Sequence, residues 1–193
     1  MKQGWNKQLF AHMVGIKIHN LLQMNEEYIT PLHNKLLDIV TSVGDEQKKL
    51  SNVQADMTNW SMHTKYEEFE RLGNIVRILL AQDTLPTSEH EVVESKYTYK
   101  IREMWGAIYH KNDYTIKHWH WPCIWSFGYY LKTSETTPPI IFHNAIEGSE
   151  VGNLSYNPKI GDLVIFPSEI YHEVSVQTTD EKRIMIAGNL QAT

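Results

Sequence analysis

Cysteine is almost missing from this chain: Cys123 is the only one among 193 residues. No internal disulfide can form, and a zinc finger is excluded. Long apolar runs are also missing. None approaches the ~18 residues that a membrane-spanning helix needs, and the polar opening, Met1 to Phe10, has no apolar signal core. A basic excess is lacking as well. Lys and Arg number 18 against 23 Asp and Glu, a formal charge of −5. No global positive field marks a nucleic-acid binder, so nucleic acid is not expected as a partner, although a local basic groove is compatible with that sum. Repeats, low-complexity tracts and long linkers do not occur. The expectation from these absences is a soluble, cytoplasmic chain with no membrane partner. What the chain has in surplus is histidine, ten copies, and tryptophan, six. The two residue types concentrate around residues 118–125.

The length suits a single domain over residues 1–193, with some chain left for a cap. Residues 8–19 alternate loosely and predict a first strand. Thr30-Pro31 opens a helix in which Leu32, Leu36, Leu37, Ile39 and Val40 fall at helical spacing, and Gly44 ends it. Residues 49–53 predict a loop or short strand. A second helix is predicted over about 64–82, where Tyr66, Phe69, Leu72, Ile75, Val76, Leu79 and Leu80 recur every three or four residues. Residues 83–91 are a turn-rich break. The texture then changes. Tyr97, Tyr99 and Ile101 alternate, and residues 104–109, 118–121, 124–131, 139–142, 162–166, 173–176 and 183–190 follow as short strand candidates between turn signals. Such a run predicts a sandwich or barrel. The expected fold is mainly β with flanking α: a jelly roll (double-stranded β-helix) over about 92–193, packed against a helical N-terminal layer over about 1–91.

His118-x-His120 is the central motif. Residues two apart on a strand face one side, so both imidazoles can enter one cavity. His172, far along the chain, supplies a third ligand from another strand. A triad of this kind leaves coordination positions open, as non-haem Fe(II) oxygenases require, although imidazole also suits Zn, Cu and Ni. The standard facial triad contains one carboxylate. Here either three histidines bind the metal, the reading we favour, or Asp113 or Glu173 reaches in. Arg183 lies eleven residues after His172, at the start of the last strand. A hairpin would bring the two together at the barrel mouth, where Arg can hold a carboxylate with two parallel hydrogen bonds.

With these residues assembled, the chain resembles the 2-oxoglutarate (2OG)- and Fe(II)-dependent oxygenases of the prolyl-hydroxylase-like type, and within them a group found in bacteria and marine phages. The likeness rests on four segments in order. They are His118-Trp119-His120-Trp121-Pro122, Ser126-Phe127-Gly128-Tyr129-Tyr130-Leu131, Gly161-Asp162-Leu163-Val164-Ile165-Phe166-Pro167-Ser168 running to His172-Glu173-Val174, and Arg183-Ile184-Met185-Ile186-Ala187-Gly188-Asn189. Leu9-Phe10 and Ser51-Asn52-Val53 extend it into the N-terminal half.

The resemblance implies Fe(II) and 2OG as cofactor and co-substrate, O₂ as oxidant, and hydroxylation of a peptide prolyl residue or a small metabolite. It implies His118 and His172 as iron ligands, with His120 standing where prolyl hydroxylases place Asp. It implies Arg183 as the anchor for the distal 2OG carboxylate, with Tyr130, Tyr109 and Asn189 lining the pocket. It would place a phage-encoded chain in the host cytoplasm. Ile108, Phe142, Ile165 and Ile186 are expected to line the barrel. Trp119 and Trp121 depart from the pattern, and alternation places them against the helical layer, or else as an aromatic substrate wall. The aromatic content and the N-terminal helices are compatible with a homodimer. Two other readings compete: a cupin-like metal-binding domain without 2OG, which lacks its usual Glu in residues 121–127, and a non-catalytic phage structural protein.

Overall fold

The computed structural model describes residues 7–8, 15–44, 51–82, 99–143 and 153–192. In chain order the elements are β1 (Lys7–Gln8), β2 (Gly15–Asn20), α1 (Leu21–Met24), α2 (Glu26–Val43), β3 (Val53–Gln54), β4 (Asp56–Met57), α3 (Met62–Lys65) and α4 (Glu67–Gln82). Then come β5 (Tyr99–Tyr109), β6 (Tyr114–His118), β7 (Trp125–Lys132), β8 (Ile140–Phe142), β9 (Leu154–Tyr156), β10 (Asp162–Pro167), β11 (His172–Val174) and β12 (Arg183–Ala192). The strands form two sheets, ordered β1-β2-β10-β7-β12-β5-β4 and β3-β6-β11-β8-β9. The expected jelly roll is therefore present, with the helices on one side.

Two cores follow from strand alternation. Along β12, Ile184, Ile186 and Leu190 join Phe127, Tyr129, Leu131, Leu163 and Ile165 in packing against Leu32, Leu36 and Val40 of α2 and Phe69, Leu72 and Val76 of α4. The opposite faces carry Met185, Tyr130, Val164 and Phe166, which meet Ile140, Phe142 and Val174 of the smaller sheet. Each fully buried aliphatic or aromatic side chain contributes ~1.5–3 kcal/mol by leaving water. The predicted barrel lining is corrected by this alternation. Only Phe142 faces the space between the sheets, while Ile165, Ile186 and Ile108 pack on the helical side.

Several element boundaries also move. The first long helix starts a turn before Thr30-Pro31, because Asn25 accepts a hydrogen bond from the Tyr28 N–H and caps it, leaving Pro31 inside the helix. The second is interrupted at Tyr66, whose extended backbone separates α3 from α4. The strands predicted at 97–101 and 104–109 are one strand in the described part, β5. The predicted strand at 118–121 instead ends at His118, and its real body, Tyr114–His118, lies earlier. The strand predicted at 173–176 is β11, and β9 was not foreseen. The N-terminal part is more than a helical layer: β2 joins the larger sheet beside β10, and β3 pairs with β6. The turn-rich break at 83–91 and the residues around Tyr97 lie outside the described residues, as does Leu9-Phe10.

The helical layer meets the sheet at one very close approach. A Cβ on Gly106 of β5 would lie 2.6 Å from Val40 Cγ2 of α2. Glycine there lets the helix settle against the strand.

Candidate active site

His118 and His172 are direct neighbours across β6 and β11, and Phe142 of β8 stands on the far side of His172. Their ring centroids are 4.3 Å apart. His120 lies past the end of β6, in the turn before Trp121-Pro122. Its N–H donates to the Ser168 carbonyl (2.8 Å), which folds the turn back over the strand ends. Its ring sits 4.7 Å from that of His118 and 5.1 Å from that of His172. One ring nitrogen from each of the three lies within 4.8 Å of the others, the geometry of a metal-holding cluster. The convergence is as expected; its cause is a turn rather than strand alternation.

Burial keeps these rings neutral, the form that ligates metals. It lowers the pKa of His118, lowers that of His120 to about 3 with help from His118, and lowers that of His172 well below the ordinary value. His118 Nδ1 is 2.7 Å from the Ile116 carbonyl and His172 Nδ1 is 3.0 Å from that of Ile170. A carbonyl only accepts, so each Nδ1 carries the proton and each Nε2 keeps a free lone pair. His120 differs: its Nδ1 is 3.2 Å from Asn189 Nδ2.

Neither acid considered as a third ligand belongs to this cluster. Asp113 is buried in the β5–β6 turn, where Oδ2 accepts from the His110 N–H (2.8 Å). Glu173 pairs with His143 (3.2 Å) on the other face of β11.

Arg183 opens β12 in the larger sheet, not in a hairpin with His172, so the two approach from opposite sheets. Its side chain is almost wholly buried, at 1% exposure. Nη1 donates to the Pro138 carbonyl (2.8 Å) and Nη2 to the Tyr130 hydroxyl (3.0 Å), while Nε has no partner. The guanidinium carbon lies 4.8 Å from the Tyr130 ring centre and 5.5 Å from that of Tyr109. The Tyr109 and Thr115 hydroxyls are 2.6 Å apart. Among the described residues no carboxylate pairs with this cation. Both expected tyrosines therefore do flank Arg183.

The inward faces of β12 and β5 run in register from this end toward the histidines: Arg183 opposite Tyr109, Met185 opposite Ala107, Ala187 opposite Trp105, and Asn189 opposite Glu103. Asn189 is thus at the histidine end, away from the Arg183 head. It donates to Glu103 Oε1 (2.6 Å) and accepts from Ser126 Oγ (2.7 Å). The Tyr130 hydroxyl lies 3.6 Å from where a Gly128 Cβ would be, so the ring leans back along β7 toward Ser126 and the histidines. Arg183, bonded to that hydroxyl, extends the same way. The level of Gly128 and Ala187 is one residue pair, roughly 7 Å of strand, from that of Asn189.

Beside the histidines opens a cavity of about 270 Å³, lined by Ser51, Asn52, Trp60, Glu103, Trp105 and Trp119 together with His118 and His120. Trp119 and Trp121 do not pack on the helical layer. They are 46% and 70% exposed, and Trp119 stacks on Tyr171 with centroids 5.3 Å apart. Sequence reasoning did not single out Glu103 or Trp105. Tyr109 held the signal, since counting back by twos along the same strand reaches both.

This architecture is the jelly roll of the 2OG oxygenases. The chain aligns with a viral collagen prolyl hydroxylase from Paramecium bursaria Chlorella virus-1, solved with 2OG, at TM-score 0.58 and 12% identity over 92% of this chain and 96% of that one. It aligns with HygX from Streptomyces hygroscopicus, solved with nickel, 2OG and hygromycin B, at TM-score 0.60 and 8% identity over 93% and 84%. A match to a 2OG-Fe(II) oxygenase family oxidoreductase from Burkholderia pseudomallei covers 50% of this chain and 46% of that one, at TM-score 0.45 and 15% identity. No curated protein sequence matches. The family described as "Putative 2OG-Fe(II) oxygenase" matches residues 146–189, the segment that carries His172, Arg183 and Asn189.

Proposed function

We propose that this chain is an Fe(II)- and 2OG-dependent oxygenase that hydroxylates a C–H bond of a small metabolite or of a peptide residue such as proline. The observation that carries the reading is Arg183: a buried cation with an unpartnered Nε and no carboxylate among the described residues to neutralise it. A buried charge of this kind is costly unless paired. A dicarboxylate would pair it, and the matched family and solved relatives are 2OG oxygenases.

The residues fit such a group. His118 and His172 present neutral Nε2 atoms, and His120 completes a three-nitrogen set. When bound, iron with 2OG and O₂ supplies the oxidising chemistry, and the protein supplies position and shelter. Arg183 would hold the distal carboxylate with Tyr130 steadying its fork. Phe142, Phe166 and Met185 keep water from the space between the Arg183 and histidine ends. The cavity at Glu103 gives a substrate access to the histidines from solvent.

Anaerobic titration with Fe(II) and then 2OG tests the reading. A weak visible charge-transfer band is expected only when 2OG chelates the iron. Iron binding with no band at saturating 2OG would leave a cupin-like metal domain instead.

A further inference from the structure

We propose that the cavity beside the histidines holds a cationic nitrogen group of the substrate, an ammonium or guanidinium, with Glu103 as its counter-charge and Trp60, Trp105 and Trp119 as its walls. The inference rests on the reading of the histidine cluster as the reaction centre and adds the substrate class.

Glu103 is half-buried on the inward face of β5, and Oε1 accepts from Asn189 Nδ2. Among the described residues no Lys, Arg or His forms an ion pair with it. Its carboxylate thus lines the cavity with a single neutral donor as its hydrogen-bond partner, and an occupant that displaced water there would need to supply another. Its neighbours in the cavity are aromatic. Trp60 and Trp105 pack on each other, centroids 4.6 Å apart with planes at 59°, and both line the cavity with Glu103. Trp119 forms a third wall, backed by its stack on Tyr171. Indole faces attract cations, and a carboxylate among them adds a charge-assisted bond.

The alternatives fit less well. A purely apolar occupant would cover Glu103 without satisfying it. An anion would be repelled by the carboxylate. At about 270 Å³ the cavity lies just below the ~300–1,000 Å³ typical of drug-sized ligands, so one side chain or a small metabolite is the fitting occupant.

Calorimetric titration tests this on the chain loaded anaerobically with Fe(II) and 2OG, and again on the metal-free chain. The probes are arginine and lysine, as free amino acids and as the central residue of short capped peptides, against citrulline and norleucine in the same two forms. The cationic probes should bind at least about tenfold tighter, about 1.4 kcal/mol. Glu103→Gln keeps the acceptor for Asn189 and should bring the two classes within about twofold. Trp119→Ala, at a position 46% exposed, should weaken the cationic probes by about threefold more than the neutral ones. Preference for free amino acids or for peptides identifies the source, and either supports the proposal. It is overturned if neutral probes bind equally, if Glu103→Gln keeps the preference, or if no cationic probe binds in either form. A charge-transfer band without cation preference overturns this inference alone. Cation preference without the band removes the oxygenase reading and leaves the pocket.

Discussion

His120 Nδ1 stands 3.2 Å from Asn189 Nδ2. An amide N–H there donates, so the ring proton sits on Nε2 and only one lone pair is left, facing Asn189. A metal at Nε2 requires the amide to turn its oxygen toward an Nδ1–H. That turn would place the amide nitrogen near Ser126 and give up its bond to Glu103, leaving that carboxylate, in the metal-loaded chain, without its amide donor. Asn189 therefore sets the tautomer of the third imidazole. Asn189→Leu should weaken Fe(II) binding by about 10–100-fold, the usual scale for a group that orients a ligand. Metal titration in competition with a chelator reads it, and unchanged affinity removes Asn189 from this role.

Arg183→Met should spare iron and lose 2OG. A hydrogen bond to a charged group is worth ~1.5–3 kcal/mol, so removing the fork should cost 2OG at least about tenfold in affinity. Titrating the charge-transfer band with 2OG in wild type and variant gives the ratio. Equal affinity would place the co-substrate elsewhere.

Gly106→Ala tests the helix–sheet contact. The new methyl meets Val40 Cγ2 at 2.6 Å, and overpacking of this kind costs about 1–3 kcal/mol. Val40→Ala in the same chain should recover part of that loss. Denaturant melts of the single and double variants measure the coupling, and additive losses would mean that the two residues are not in contact.

His33 makes stability pH-dependent. It is buried on α2 with Nδ1 2.8 Å from the Tyr129 hydroxyl, and burial lowers its pKa from the ordinary 6.5. Above 6.5 folded and unfolded chains both carry it neutral. As pH falls through 6.5 the unfolded chain takes the proton first, so stability declines until the lower folded pKa is passed. His33→Gln keeps a partner for Tyr129. In chelator-treated protein its denaturation midpoint should fall less than that of wild type between about pH 7.5 and about pH 5.5. Identical slopes would show that His33 does not titrate with folding.

The sheets could be read from the chain because strands such as β7 and β10 are short apolar runs, buried on both faces and bounded by turn signals. The helices could be read from their three-and-four spacing. β6 could not, since Thr115 and Lys117 alternate with polar and apolar neighbours without contrast, and the His-x-His pattern drew attention to the turn after it. The histidines and Arg183 stand out because their chemistry is rare in such segments. Glu103 and Trp60 do not, because their proximity arises only when β5 lies beside β12 and residues 51–60 fold across the mouth. Trp119 was misplaced for the same reason that His120 met its partners: the chain leaves the strand after His118, so alternation no longer governs where side chains point.

The Arg183 guanidinium, without a carboxylate partner among the described residues, has a consequence for the chain's lifetime. A dianion that docks only on the folded form shifts the folding equilibrium by RT ln(1 + [L]/Kd), about 2.7 kcal/mol at a hundredfold excess over Kd. If that dianion is the proposed 2OG, a chain deprived of it would spend more time open to proteases, and its abundance would follow the supply of 2OG as well as its rate of synthesis.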